Sequence, residues 1–169
     1  MDRQSFERVT KMAKKTMDAK IINPFLQAAI NVLKTMAMLD PKPGKPFLKK
    51  EQAAHGDVTG IIGITGDAQG SMSISFSEPC IKAIVQNLFG MPVNEINDEV
   101  KDAVGELTNM ICGDARRRLE AENISLQAGT PTIVAGANHS ITHVNNGPRL
   151  AIPFDTGAGQ FVIEVAFNT

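Results

Sequence analysis

Two stretches of this chain alternate strictly, and each follows a Thr-Gly turn. "ITGDAQGSMSISF" puts Met72, Ile74 and Phe76 on one side of a strand and serines on the other. "DTGAGQFVIEVAF" puts Phe161, Ile163, Val165 and Phe167 on one side. Successive side chains of a strand point to opposite faces, so this period of two predicts half-buried strands. "VTGIIGIT" precedes the first stretch. "PRLAIPF", with Leu150, Ile152 and Phe154 alternating, precedes the second. Each pair reads as a β-hairpin, the first over about residues 58–77. Each hairpin also lies downstream of a long amphipathic helix. The chain therefore reads as a weak internal repeat of helix, further elements and hairpin. The expected fold is α+β: a pseudo-symmetric two-half domain, with long helices packed on one face of a mostly antiparallel sheet.

The helices have their own signals. Phe6, Val9, Met12 and Ala13 are spaced for a short helix over residues 3–17, which is either that or an extension. The single domain is expected over 18–169. In "NPFLQAAINVLKTMAML", Asn23 suits an N-cap and Pro24 the first helical position. Phe25, Ala29, Val32, Leu33, Met36 and Ala37 then form a broad apolar face. "DPKPGKPF", with three prolines and a glycine in eight residues, predicts a loop. "SEPCIKAIVQNLFG" predicts a helix capped by Ser77 and ended at Gly90. Another runs from about Asn97 to Ala121, with Asp98 and Glu99 favourably placed in its first turn. "NISLQAG", "TPTIVAG" and "SITHV" are strand-like.

At 169 residues with 43% apolar content, the chain can bury a core. Its aromatic residues are all Phe, and the net charge is −1. That is poor material for stacking bases, so no nucleic-acid partner is expected. Residues 1–50 carry 11 Lys/Arg against 4 Asp/Glu, and the remainder 6 against 14. A basic end can touch a membrane or an acidic partner, but a solvated face is the ordinary explanation. No apolar run is long enough to span a bilayer, and the basic N-terminus lacks the apolar core of a signal peptide. Cys80 and Cys112 form no CxxC pair, which suits a reduced, cytoplasmic protein with packed thiols.

The segment "AVGELTNMICGDARRRLE" places Glu106 and Asn109 three residues apart on the helix that begins near Asn97. At about 100° per residue, with Asp102 at zero, Glu106 falls near 40°, Asn109 near −20°, Gly113 near 20° and Arg116 near −40°. Ala103, Val104, Leu107, Ile111 and Ala115 fall at roughly 100° to 220°, the buried arc. One polar stripe therefore points away from the core. Gly113 is costly there, by roughly 1 kcal/mol relative to alanine, unless another surface must come close. Polar side chains on an outer stripe are otherwise commonplace, and spacing alone leaves a solvated face as the default.

"DAVGELTNMICGDARRRL", with Asp102, Glu106 and Asn109 in a D-x-x-x-E-x-x-N pattern and Pro131 further on, resembles the CheC/CheX/FliY family of response-regulator phosphatases. "AKIINPFLQAAINVL" and "LAIPFDTGAGQFVIEVAF" resemble its CheX branch most. CheC-type members carry E-x-x-N in both halves. Here the first helix offers Gln27, Asn31 and Lys34 instead, which is again the CheX pattern. The resemblance covers roughly 18–169 and leaves residues 1–17 outside it.

The resemblance implies a phosphatase acting on the aspartyl phosphate of a CheY-type receiver. It implies Asn109 as the water-positioning residue and Glu106 as the partner of the receiver's lysine. Asp102, Gly113 and Arg116 would contact the partner. It implies no cofactor of its own, Mg²⁺ on the receiver, and a homodimer joined through sheet edges. The reading from another class is a non-catalytic module, a receiver-binding adaptor or a flagellar switch-like component. The intact Glu106/Asn109 pair speaks against it.

Three other signals carry less. "PFDTGAGQF" mimics the D-T-G turn of aspartic proteases, but the matching Thr65-Gly66 turn explains it as a repeated hairpin. His139 and His143 have helical spacing in a region that reads as strand or loop, without a third metal ligand, and His55 is solitary. "GITGDAQG" and "DTGAGQ" lack the following helix of a phosphate loop.

Overall fold

The structure, a computed structural model, describes residues 3–4, 19–49, 56–136 and 149–168. In chain order its elements are α1 (Ala19–Ala37), β1 (Lys42–Pro43), β2 (Phe47–Lys49), β3 (Val58–Gly66), β4 (Gln69–Phe76), α2 (Glu78–Phe89), α3 (Asp98–Glu120), β5 (Leu126–Ala128), β6 (Thr132–Ala135), β7 (Arg149–Asp155) and β8 (Gln160–Asn168). The expected helix over 3–17, the strand-like "SITHV" and all three histidines fall wholly or mostly outside the described residues.

Both hairpins form, β3 with β4 and β7 with β8. They join through β4 and β8, which pair antiparallel from Gln69↔Asn168 to Phe76↔Phe161. The sheet runs β1-β7-β8-β4-β3-β5, with β2 also on β7 and β6 also on β3. All its pairings are antiparallel. The halves α1-β1-β2-β3-β4 and α3-β5-β6-β7-β8 have the same element order, with α2 between them. The short strands of each half pair with the hairpin of the other: β1 and β2 lie on β7, β5 and β6 on β3. This exchange joins the two halves in one continuous sheet.

The core lies between this sheet and the helices. Phe25 and Leu33 of α1 and Val104, Leu107 and Ile111 of α3 are buried with Met72, Ile74, Phe161, Ile163 and Phe167 of the sheet. Phe25 meets Phe167 at 5.8 Å between ring centres, and Phe154 stacks on Phe161 at 4.7 Å. α3 also sits close against β3. A Cβ at Gly60 would collide with the Thr108 hydroxyl, so glycine there is a requirement of the helix's position. The cap residues expected for α2 are both present. The Ser77 hydroxyl accepts from the Cys80 amide, and Gly90 takes φ 72.

Three expectations need correction. α1 does not start at Asn23; it begins at Ala19, with Pro24 inside it. Proline cannot donate to the carbonyl four residues back, a loss of about 3 kcal/mol in a helix interior. Extending the helix buries Ile21 and Ile22, each worth about 1.5–3 kcal/mol, so burial prevails. The stretch read as a loop, "DPKPGKPF", begins two short strands, β1 and β2, which edge the sheet. Such strands are too short to show a periodicity.

The serine face of β4 is not wet. Ser71, Ser73 and Ser75 are buried, as are Thr59, Ala151, Glu164 and Ala166 on the same side of the sheet. Thr59 and Ser75, cross-strand neighbours, hydrogen-bond at 2.8 Å. The Glu164 carboxylate accepts from Lys49 at 2.9 Å and from Arg149 at 3.0 Å, all three buried. Small polar residues alternate identically whether their face meets solvent or packs tightly.

Candidate active site on the outer stripe of α3

α3 starts where its cap residue dictates. The Asn97 side-chain oxygen accepts from the Val100 amide at 3.0 Å, and Asp98 and Glu99 occupy the positive first turn. The apolar arc then buries Val100, Ala103, Val104, Leu107, Ile111, Ala115 and Leu119. This fixes the rotation of the helix. Asp102, Glu106 and Asn109 are exposed along the opposite side, as their spacing predicts. Among the described residues, no hydrogen bond or ion pair engages these three side chains.

Gly113 is half-buried on the same stripe. A Cβ there would meet only the Arg117 guanidinium, at 3.9 Å. The protein's own packing therefore does not need glycine at this position. Gly113→Ala is expected to stabilise the fold by about 1 kcal/mol in equilibrium unfolding. If the stripe docks a partner closely, the same variant loses affinity for it, and a stabler variant with full affinity would remove that role.

Arg116 is turned partly to the fold. Its Nε donates to the Leu126 carbonyl at 2.9 Å, tying the end of α3 to β5. Asp114 is the residue that sequence reasoning missed. It is buried and accepts from Arg117 at 3.2 Å and Arg118 at 3.1 Å, with Asn31 of α1 at 3.5 Å. The signal was its angle, about 120° on the helix and so within the apolar arc, where a carboxylate requires partners.

Beside the stripe lies a groove of about 720 Å³. Glu99, Asp102 and Glu106 rim it. Ala103, Leu107 and Met110 line it from α3, Leu88, Phe89 and Met91 from α2 and the turn after it, and Met36 from the end of α1.

The D-T-G signal resolves into structure. Asp155, Thr156 and Gly157 form a hydrogen-bonded turn. Asp155 accepts from the Gly157 amide at 2.8 Å, and the Thr156 hydroxyl donates to the Gly159 carbonyl at 2.8 Å. Among the described residues, no cluster of His, Cys, Asp and Glu could hold a metal ion, and no helix is long and apolar enough to cross a membrane. Burial pushes both thiols up to about 11. For Cys80 a hydrogen bond with Thr156 opposes the rise and the charge of Asp155 adds to it; for Cys112 the charge of Arg116 opposes it. Both are protonated at pH 8, and the thiolate is the reactive form. Neither is expected to react with a thiol reagent at that pH until the protein is unfolded. Rapid labelling of the native protein would contradict this.

The comparisons with known proteins identify the family. The family model described as "Chemotaxis phosphatase CheX" matches residues 58–155. The chain is 33% identical over 127 residues to the CheY-P phosphatase CheX of Thermotoga maritima, covering 74% of this chain and 81% of that protein. The crystal structure of the chemotaxis protein CheX from Vibrio vulnificus superposes with a TM-score of 0.83 at 44% identity, covering 89% of this chain and all of that one. CheX in the CheX–CheY–BeF₃–Mg²⁺ complex from Borrelia burgdorferi superposes with a TM-score of 0.74 at 26% identity, covering 88% of this chain and 98% of that one. An α+β domain with this topology, matched across the fold and through α3, belongs to the CheX family of chemotaxis phosphatases.

Proposed function

We propose that this protein hydrolyses the aspartyl phosphate of a CheY-type response regulator, using Asn109 to align the attacking water and Glu106 to dock the receiver. The observation that carries the reading is the exposed Glu106/Asn109 pair, engaged by none of the described residues, on α3 of a CheX-family chain. The CheX–CheY–BeF₃–Mg²⁺ complex of a relative adds support for the partner and for Mg²⁺ on the receiver's side.

The chemistry suits so spare a site. Phosphoryl transfer passes through a loose transition state, so positioning and charge do most of the work. The receiver brings the phosphorylated Asp, Mg²⁺ and a lysine. A carboxamide both accepts and donates hydrogen bonds, so Asn109 can hold a water in line with the phosphorus without acting as a strong base. Water oxygen bonds to phosphorus as the bond to the Asp oxygen breaks. The Asp carboxylate and inorganic phosphate leave, and the water's proton passes to phosphate or solvent. Glu106, one turn away, meets the receiver's lysine and sets the angle of approach. Asp102 and the accessible part of Arg116 flank the contact, and Gly113 admits the receiver's loops.

Glu106→Ala is expected to weaken binding of the activated receiver and slow turnover together, since a charged docking pair is worth on the order of 2–5 kcal/mol when buried by the partner. A full-affinity Glu106→Ala variant would remove the docking role. The protein acts in the cytoplasm, where its receiver is phosphorylated, and as a homodimer joined through sheet edges. A monomer in sedimentation at micromolar concentration would contradict the dimer.

A further inference from the structure

Among the described residues, the large apolar side chains left exposed are Met36, Met38, Phe89 and Met91. Three of the four line the groove beside the stripe: Met36 at 43%, Phe89 at 58% and Met91 at 61% exposure. Scattered apolar side chains need no explanation, but a concave cluster with a polar rim marks a contact surface. Methionine suits such a surface because its thioether chain repacks around varied shapes.

We infer that this groove is the second half of the receiver-docking surface. It takes an apolar side chain of the receiver, from a surface segment flanked by basic residues and adjoining the phosphorylated pocket. The inference rests on the phosphatase reading and names what anchors the partner. Continuity comes first: Asp102 and Glu106 belong to both the stripe and the groove, so a partner seated over Asn109 overhangs the groove. Charge comes second: Glu99, Asp102 and Glu106 rim the groove, and among the described residues no Lys or Arg lines it. An acidic rim favours a basic partner. It disfavours a second copy of this chain, because a two-fold contact would set the same acidic rim against itself. On this division of labour, the groove supplies affinity and selects among receivers, while Asn109 supplies rate.

The test measures turnover of a phosphorylated CheY-type receiver from the same organism, and its affinity when activated with Mg²⁺ and beryllofluoride. The variants are Phe89→Ser/Met91→Ser, Phe89→Leu/Met91→Leu and Asn109→Ala. The serine pair is expected to raise KM and Kd about tenfold, as loss of an apolar anchor does, with kcat within about twofold of wild type. The leucine pair is expected to restore most of the affinity. Both pairs replace exposed side chains, and an unchanged Tm checks their folding.

Unchanged Kd and KM in the serine pair overturn the groove. So does a shift in oligomeric state without loss of receiver affinity, which would make the groove a contact between copies. The Kd arm reads the groove whether or not phosphate is released. Full turnover by Asn109→Ala would instead overturn the catalytic assignment and leave the groove standing.

Discussion

Asn109→Ala is expected to lower kcat for phospho-receiver hydrolysis by on the order of a hundred- to a thousandfold, the usual loss when one positioned group is removed from a transition state. Affinity for the activated receiver is expected to change by less than about threefold. The separation follows from the site. Asn109 is exposed, engages none of the described residues and lies one turn from Glu106, the proposed docking group, so truncating it is expected to leave both fold and contact intact. A drop in kcat with constant KM is the mark of an interaction made only in the transition state. Asn109→Asp keeps the shape but loses both N–H donors and adds a negative charge facing phosphate, so it is expected to be no better than alanine. Equal losses of binding and turnover in Asn109→Ala would make the residue a docking contact and leave the water without a holder.

The largest effect on stability is expected on the far side of the sheet. Glu164→Ala removes the buried carboxylate that accepts from both Lys49 and Arg149. Removing one partner of a buried charge cluster costs about 3–5 kcal/mol, because the remaining charge stays desolvated. In a chain of this size that lowers Tm by on the order of 10 °C. Glu164→Gln keeps the volume and an acceptor oxygen, so it is expected to lose less. Glu164 alternates with Ile163 and Val165 of the core, which places it on the sheet face opposite α3. Turnover well below Tm should therefore be unaffected. Equilibrium unfolding in urea checks this. A loss under about 1 kcal/mol would mean that solvent reaches the cluster and rehydrates its charges.

The parts of this architecture that burial dictates could be read from the residues. The hairpins follow from period-two alternation, and α3 follows from its apolar arc and its Asn97 cap. The exchange of short strands between the halves could not be read, because strands as short as Lys42–Pro43 have no period to show. Pro24 misplaced the start of α1. Its local preference for the first turn was overridden by the burial of Ile21 and Ile22, which no local rule weighs. The serines of β4 misled because solvated and tightly packed faces share a composition.

At the site, the stripe was legible because it is the complement of a well-marked buried face. The groove was not, because Met36, Phe89 and Met91 come from separate elements that meet only in the fold. The role proposed for the pair comes from resemblance alone. E-x-x-N on a helix is chemically ordinary until a phosphoryl group is brought to it.

The decisive measurement is the lifetime of a Mg²⁺-loaded, acetyl-phosphate-charged CheY-type receiver, followed with and without this protein. Wild type is expected to shorten that lifetime catalytically, at substoichiometric amounts, with Asn109→Ala leaving the spontaneous rate. A lifetime unchanged by wild type that nonetheless binds the activated receiver would make the protein an adaptor and the stripe a docking face alone.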